Sequence, residues 1–160
     1  MFGFKKKPAP TTLAAPVSGQ LMSITAVADQ VFSQKMMGDG FAVTPSDGQI
    51  VAPADGEIKT VAETKHAVML TTTSGLELMI HLGLDTVELK GAPFDVQVKV
   101  GDQVTTGQPL AKMDLAAIEA VGKPTTVITV ITNMDQVKTL ALTATTTVTG
   151  GASAATVTLN

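Results

Sequence analysis

Two histidines are the residues of this sequence best suited to chemistry. His66 and His81 are the only histidines among 160 residues, and they lie at the two ends of a segment that predicts one β-hairpin, with its turn at Thr73-Ser74-Gly75. A two-residue loop on the first two of these residues, or a four-residue loop beginning at Thr72, places the rings directly opposite each other. A two-residue loop on the last two makes the rings diagonal neighbours, and only a three-residue loop sends them to opposite faces. Most turns therefore bring the rings within reach of one shared group.

Alternation along the second strand separates an apolar face from a mixed face. The apolar face carries Leu76, Leu78, Ile80 and Leu82, and the mixed face carries Glu77, Met79 and His81. On the first strand, His66 shares its face with Thr64 and Val68. We expect the side chains of the apolar face to pack in the core. The histidine face predicts a surface or shallow cleft with a hydroxyl beside one ring.

Phosphoryl transfer onto histidine is the first chemistry that fits this pair. Neutral imidazole is nucleophilic, and its unperturbed pKa of about 6.5 leaves it largely uncharged near neutral pH. The second imidazole N–H can donate to a phosphoryl oxygen, and the Thr64 hydroxyl can select the tautomer of His66. The sequence contains neither a G-x-x-x-x-G-K-[ST] nor a G-x-G-x-x-G motif. The phosphoryl donor would then be another phosphoprotein.

Two other chemistries use similar residues. His81-x-Gly-x-Asp85 resembles the first metal motif of lysostaphin-type zinc peptidases, and Gly83 permits a bend that returns Asp85 to the rim. No histidine follows Asp85, so the His-x-His that those enzymes need downstream is missing. A biotinyl or lipoyl carrier is disfavoured, because Lys35-Met36 lacks the Met-Lys-Met context.

Composition favours an all-β domain. Hydrophobic residues make up 44% of the chain and aromatic residues 3%, and Thr, Val, Gly and Pro are frequent. The formal net charge of −3 disfavours a nucleic-acid partner. Cysteine is absent, which excludes a thiol nucleophile and a thiolate metal site within these residues. No apolar run reaches about 18 residues and no signal-peptide pattern is present, so we expect a cytoplasmic protein.

Turn and strand signals predict one folded unit after a short tail. We expect residues 1–13 to be a flexible tail, with two Phe and three Lys, and residues 14–160 to form a single domain. An echo between residues 15–21 and 52–58, each an Ala-Pro turn that leads into a strand through glycine, predicts a duplicated β-unit. Asp114–Val121 predicts a short helix, and Asn133-Met134-Asp135 a turn or single helical turn. The many short strands indicate a sandwich or a barrel.

Several separated blocks resemble one protein family. The stretch from Gly75 to Leu89 closely resembles the active-site segment of glucose-type enzyme IIA proteins of the bacterial phosphoenolpyruvate:sugar phosphotransferase system. Further similar blocks occur in the same order at 15–19, 31–40, 51–56, 63–66, 98–102 and 132–135. The resemblance implies a compact antiparallel β-sandwich of the duplicated hybrid-motif type, with one or two short helical segments.

The resemblance also implies roles for individual residues. His81 would accept the phosphoryl group on Nε2, with His66 as the supporting imidazole and Thr64 beside it. Asp29 and Asp85 would lie at the docking rim and meet a basic residue of the histidine-containing phosphocarrier. The apolar docking ring would comprise Phe32, Val68 and Met79.

The implied partners are those of a sugar phosphotransferase. The phosphocarrier would donate the phosphoryl group, and a cysteine of a separate IIB domain of a membrane sugar permease would receive it. The protein would act as a monomer without a cofactor. The alternative is a regulatory protein-binding module, with or without a zinc ion that His66 and His81 hold and a partner's carboxylate completes.

Two departures from the family pattern bear on docking. Ala62, Val68 and Met79 stand where family members often carry Phe, which predicts a flatter docking face. The stretch from Gly91 to Val98 is several residues shorter than in familiar members, so a loop contact is lost there.

Overall fold

The computed structural model describes residues 10–143 and 146–160. Short strands dominate because β-branched residues alternate with Gly and Pro turns. The described strands are β1 (Thr11–Ala14), β2 (Gly19–Ser23), β3 (Asp39–Pro45), β4 (Gln49–Val51), β5 (Gly56–Val61), β6 (Ala67–Thr72), β7 (Glu77–Leu82), β8 (Phe94–Val96), β9 (Gln103–Val104), β10 (Pro109–Met113), β11 (Val127–Ile131), β12 (Val137–Leu142), β13 (Thr147–Val148) and β14 (Ser153–Leu159). The helical segments are α1 (Gln30–Ser33), α2 (Leu115–Ala120) and 3₁₀ turns at Ile24–Ala26, Thr86–Leu89 and Met134–Gln136.

The strands form one large sheet and two small ones. The eight-stranded sheet has the order β13-β2-β3-β11-β7-β6-β5-β9, and the three-stranded sheets have the orders β1-β14-β12 and β4-β10-β8. Every strand pair that the structure describes is antiparallel. The predicted all-β, antiparallel sandwich is therefore confirmed.

The central strand β7 buries both of its faces. Leu78, Ile80 and Leu82 are fully buried in the main core, as their alternation predicts. On the other face, Met79 packs in a second, smaller apolar cluster together with Ile24, Val27, Phe32, Ala42, Ala67, Leu84, Ile128 and Val130. The large sheet thus carries a core on one face and, on the other, an apolar layer on which a shallow site can be built.

The predicted internal duplication is visible in the backbone hydrogen bonds. The two Ala-Pro turns that lead into β2 and β5 face each other. Ala14 N–H donates to the Pro53 carbonyl and Val51 N–H donates to the Pro16 carbonyl, each at 2.7 Å. The two turns therefore pair reciprocally, each through corresponding residues of the two repeats.

The ends of some elements differ from their predicted positions. β1 pairs with β14 from Thr11 onward and Leu13 is fully buried, so the predicted tail boundary after residue 13 was wrong. The rest of the predicted tail, residues 1–9, lies outside the described residues. The predicted helix is confirmed as α2, whose N-cap Asp114 accepts a hydrogen bond from the Ala117 N–H at 3.0 Å.

One buried hydroxyl provides a test of the core. Thr129 is fully buried in β11 opposite Ile80, and within the described residues its Oγ1 has no hydrogen-bond partner. Because an unpaired buried hydroxyl costs free energy, we expect Thr129→Val to raise the free energy of unfolding by about 1–2 kcal/mol. Urea unfolding measures the change. The matched control is Thr72→Val, which we expect to destabilise, because the Thr72 hydroxyl accepts a hydrogen bond from the Leu76 N–H at 3.0 Å. Equal effects of the two substitutions would contradict the argument.

Candidate functional site

The two imidazoles meet in one shallow cleft. Their ring centroids are 5.1 Å apart and the ring planes lie at 78°, an edge-to-face arrangement. The cleft has a volume of about 330 Å³ and is lined by Asp29, Val31, Phe32, Met37, His66, Ala67, Met79, His81, Asp85 and Val87. The predicted meeting of the two rings is therefore observed.

The two rings meet although the hairpin has a register for which strand alternation predicts rings on opposite faces. Ala67 pairs with His81 and Thr71 with Glu77, which leaves the three-residue loop 73–75. In this register His66 lies opposite Leu82, and the Leu82 N–H donates to the His66 carbonyl at 2.7 Å. The expectation that a three-residue loop would separate the rings was wrong.

The reason lies in the turn that precedes β6. His66 is outside the strand, which begins at Ala67, so strand alternation does not direct its side chain. The preceding residue, Lys65, has a φ of 60°, in the left-handed region, and its N–H donates to the Ala62 carbonyl at 2.8 Å. This tight turn brings the His66 side chain to the same face as His81.

One hydrogen bond determines the tautomer of His81. Its Nδ1 lies 2.7 Å from the Gly83 carbonyl oxygen. Because a carbonyl can only accept, Nδ1 carries the proton and the Nε2 of a neutral ring keeps its lone pair. The ring is partly buried, and the Phe32 ring lies against it at a centroid distance of 5.0 Å.

The second imidazole is held by a hydroxyl. Thr64 Oγ1 lies 2.6 Å from His66 Nδ1, as the sequence predicted for this pair. A neutral ring that accepts the threonine proton at Nδ1 carries its own proton on Nε2. The two rings would then present complementary nitrogens, a lone pair on His81 and an N–H on His66.

Burial keeps both rings uncharged. Desolvation lowers the pKa of His66 from its ordinary value of 6.5. Desolvation is also the main cause that lowers the pKa of His81, and a positive charge on His66 would lower it further. The Gly83 carbonyl and the carboxylates of Asp29 and Asp85 oppose this shift without cancelling it. The site therefore holds neutral His81 at neutral pH, the form that is nucleophilic.

The lowered pKa of His81 predicts an acid-side loss of stability. Below the unfolded-state pKa, near 6.5, the unfolded chain binds the proton that the folded site resists. The free energy of unfolding should therefore fall as the pH decreases below about 6.5, until the lowered pKa of the folded site is reached. Urea unfolding at a series of pH values measures the slope.

The control for this slope is His81→Gln, which removes one titrating ring and retains His66. We expect a shallower dependence in the variant over the same window. Asp55 and Asp102 have pKa values lowered below 3.8 by hydrogen bonds from Thr106 and Lys99, so their contribution is lost only at lower pH. Identical slopes in the variant and the parent would contradict the burial argument.

Two carboxylates and two apolar side chains lie where the resemblance implies. Asp29 caps α1 through a 2.9 Å hydrogen bond from the Val31 N–H, and Asp85 makes no side-chain capping bond. Both line the cleft. Phe32 and Met79 also line it, with only 5% and 7% of their surface exposed, so they form its floor more than its rim.

The predicted position of Val68 on the histidine face was wrong. Its side chain is 2% exposed and belongs to the main core, because its strand partner is Ile80 on the face away from the histidines. Its neighbour Ala67 lines the cleft instead. The prediction placed Val68 on the histidine face by alternation from His66, and that alternation fails because His66 lies outside the strand. Ala62, also expected near the site, packs partly buried against the second apolar cluster.

Sequence reasoning missed the exposed apolar residues at the mouth of the cleft. Val31, Met37 and Val87 line it with 42%, 40% and 47% of their surface exposed. Two of them lie on or just after α1, a helix that was not predicted. Its signal was Asp29, an N-cap residue that is followed, after Gln30, by the apolar pair Val31-Phe32.

Residues 11–137 match the family described as "phosphoenolpyruvate-dependent sugar phosphotransferase system, EIIA 1". The chain belongs to this family. A "PTS system glucose-specific EIIA component" from Halalkalibacterium halodurans is 43% identical over 143 residues, which cover 85% of this chain and 83% of that protein. The solved structure of "glucose permease IIA from Mycoplasma capricolum" is 34% identical and superposes with a TM-score of 0.84, covering 98% of this chain and 99% of that one.

Some relatives of this EIIA-family chain are much longer. A "PTS system glucose-specific EIICBA component" from Streptococcus pneumoniae is 45% identical over 124 residues, which cover 78% of this chain and 17% of that protein. The aligned region therefore corresponds to a small part of such a relative. The sequence-based assignment to the glucose-type enzyme IIA proteins is confirmed at the level of the family and the fold.

Neither a metal-binding cluster nor a membrane-spanning helix occurs in the described part of this EIIA-family chain. Within residues 10–143 and 146–160, no group of three or more His, Asp or Glu side chains is arranged to hold a metal ion. The set of His66, His81 and Asp85 considered for a zinc hydrolase is thus not formed there. In the same residues, no helix has the length and apolar character needed to cross a bilayer.

Proposed function

We propose that this chain is a phosphohistidine carrier that receives a phosphoryl group on His81 Nε2 and passes it to a cysteine of a IIB domain. The supporting observation is the 2.7 Å contact between His81 Nδ1 and the Gly83 carbonyl, which leaves Nε2 as the nitrogen with a free lone pair. Nucleophilic attack requires that lone pair and an uncharged ring. The lowered pKa of His81 supplies the second condition.

Each step of the transfer forms one bond to phosphorus and breaks another. The lone pair of Nε2 forms a bond to phosphorus as the bond between phosphorus and the donor's histidine nitrogen breaks, and the donor nitrogen recovers its electron pair. In the second step a thiolate forms the S–P bond and His81 recovers its lone pair. The 160 residues contain no cysteine, so the thiolate belongs to a chain or segment outside them.

His66 is assigned the supporting role. Its ring lies 5.1 Å from that of His81, and the Thr64 hydroxyl at Nδ1 favours a proton on Nε2. An N–H at this place can donate to a phosphoryl oxygen, and such charge-assisted hydrogen bonds are roughly twice as strong as neutral ones. Donors aimed at charge that develops in the transition state lower the barrier to transfer.

The rim of the cleft fits a partner with a basic and apolar surface. Asp29 and Asp85 supply negative charge in the cleft that holds His81, and Val31, Met37 and Val87 supply exposed apolar area. We assign this surface to the phosphocarrier, with its basic residue at the two carboxylates, and in turn to the IIB domain. Such a carrier would work as a cytoplasmic monomer on a membrane sugar permease, and the names of the EIICBA relatives agree with that partner class.

The test is a phosphoryl-transfer reaction with purified components. Incubation with phosphoenolpyruvate, enzyme I and the phosphocarrier should add one phosphoryl group per chain, seen by intact mass spectrometry. A phosphorus–nitrogen bond is labile to acid, so acid treatment should remove the added mass. A reaction without the phosphocarrier is the control. No added mass in the complete reaction would overturn the proposal.

A second candidate function is regulatory binding through zinc. The closeness of the two rings favours it, because both imidazoles could bind one ion if a partner's carboxylate completed the site. Titration with zinc alone and with zinc plus a candidate partner distinguishes the functions. Partner binding that requires zinc, without phosphoryl uptake, would favour the regulatory module.

A further inference from the structure

The loop after β7 holds the carbonyl that selects the tautomer of His81. Two successive peptide groups in this loop are bonded to the segment before β11. The Gly83 N–H donates to the Thr126 carbonyl at 2.9 Å, and the Leu84 N–H donates to the Pro124 carbonyl at 3.1 Å. Because a peptide group is planar, the Leu84 N–H bond turns the Gly83 carbonyl to the opposite side, where His81 Nδ1 meets it.

A buried threonine closes the same loop from the other end. Thr86 is fully buried, and its Oγ1 donates to the Leu82 carbonyl at 2.5 Å. Its methyl group packs tightly against Gly83, since a Cβ placed there would come within 2.5 Å of Thr86 Cγ2. Gly83 has a φ of 80°, so the loop needs glycine at this position to keep its shape.

We propose that Thr86 is a positioning residue for His81. Its hydroxyl holds the Leu82 carbonyl at the start of the loop, so that the Gly83 carbonyl stays at hydrogen-bond distance from His81 Nδ1. A neutral ring without this partner is free to carry its proton on Nε2, where the proton blocks attack on phosphorus. Only the consequence for phosphoryl uptake rests on the proposed function, because the tautomer is a property of the free protein.

The test compares two substitutions that separate the parts of Thr86. Thr86→Val keeps the shape and removes the hydroxyl, whereas Thr86→Ser keeps the hydroxyl and removes the methyl group. Thr129→Val is the matched control, because it removes a buried threonine hydroxyl in β11 that has no partner within the described residues. The first readout is nitrogen-15 NMR of the histidine rings in the unphosphorylated protein. The second is the rate of phosphoryl uptake from the phosphocarrier.

We expect Thr86→Val to shift part of the His81 population to the Nε2–H tautomer and to slow uptake by about 10-fold, the size of effect that the net contribution of one hydrogen bond gives. Thr86→Ser and Thr129→Val should retain the parental tautomer, with uptake rates within about twofold of the parent. An unchanged tautomer in a folded Thr86→Val protein would overturn the proposal.

Thr86→Ser keeps the proposal testable if Thr86→Val does not fold. Retention of the parental tautomer by the serine variant, together with its loss in Thr86→Ala, supports the hydroxyl as the positioning group. A changed tautomer in Thr86→Ser would overturn that role. Failure of the unsubstituted protein to take up phosphate would overturn the proposed function and leave the NMR result to decide on Thr86.

Discussion

His81→Ala should reduce phosphoryl uptake to the background of the assay, a loss of more than about 10³-fold. The substitution removes the nitrogen that forms the bond to phosphorus. In the proposed arrangement His66 cannot replace it, because a ring whose Nδ1 accepts the Thr64 proton carries its own proton on Nε2. Intact mass spectrometry after incubation with the phosphoryl-donor proteins measures the loss. Circular dichroism and urea unfolding establish whether the variant remains folded.

The pair of histidines provides an internal control for this result. The chain contains two histidines, so His81→Ala and His66→Gln each retain a single ring. We expect an acid-labile phosphoryl group only on the variant that retains His81. Phosphoryl uptake by His81→Ala at the parental rate would contradict the assignment of His81 as the acceptor.

His66→Gln should accept a phosphoryl group but pass it on slowly. A glutamine amide can still donate a hydrogen bond to a phosphoryl oxygen, but it cannot exchange its proton as an imidazole does. Loss of acid–base support typically lowers a rate by roughly 10²-fold or more, and we expect a loss of that size in onward transfer. The measurement is phosphorylation of sugar by a IIB-containing permease, with the phosphorylated variant as the donor.

The control for His66→Gln is Thr64→Val, which leaves the imidazole in place and removes only the hydroxyl at its Nδ1. If His66 acts through its Nε2 proton, the valine variant should transfer more slowly than the parent but faster than His66→Gln. Parental transfer rates in both variants would show that the second imidazole has no part in the reaction.

Several features of the fold were predictable because they depend on local patterns. Alternation in β7 identified its core face, and Asp114 with the apolar spacing after it identified α2. The repeated Ala-Pro turns predicted a duplication that the backbone hydrogen bonds confirm. Such signals involve residues close in the chain, where spacing and turn chemistry are sufficient.

The errors came from backbone conformations and contacts that spacing does not reveal. Thr11 was placed in a tail, although β1 is held by β14 from the far end of the chain. Val68 was placed on the histidine face, because strand alternation was continued through His66 into a turn that contains a left-handed lysine. Helix α1, a single turn, was missed because its Asp29 cap is the only strong local signal.

The amino-acid sequence by itself determined which residues are available for the proposed chemistry: it has two imidazoles, a threonine two residues before one of them, and no thiol. It also determined that the chain is a β-sandwich, since the alternation of apolar residues in strands and the turn residues between them are local sequence patterns. Only the tertiary structure decided how the pair works. The left-handed turn at Lys65 brings the rings together despite a three-residue hairpin loop, and the Gly83 carbonyl places the proton of His81 on Nδ1. Neither a backbone dihedral nor a tautomer is specified by residue spacing alone, and the loop that carries the Gly83 carbonyl is held by hydrogen bonds to the distant segment before β11.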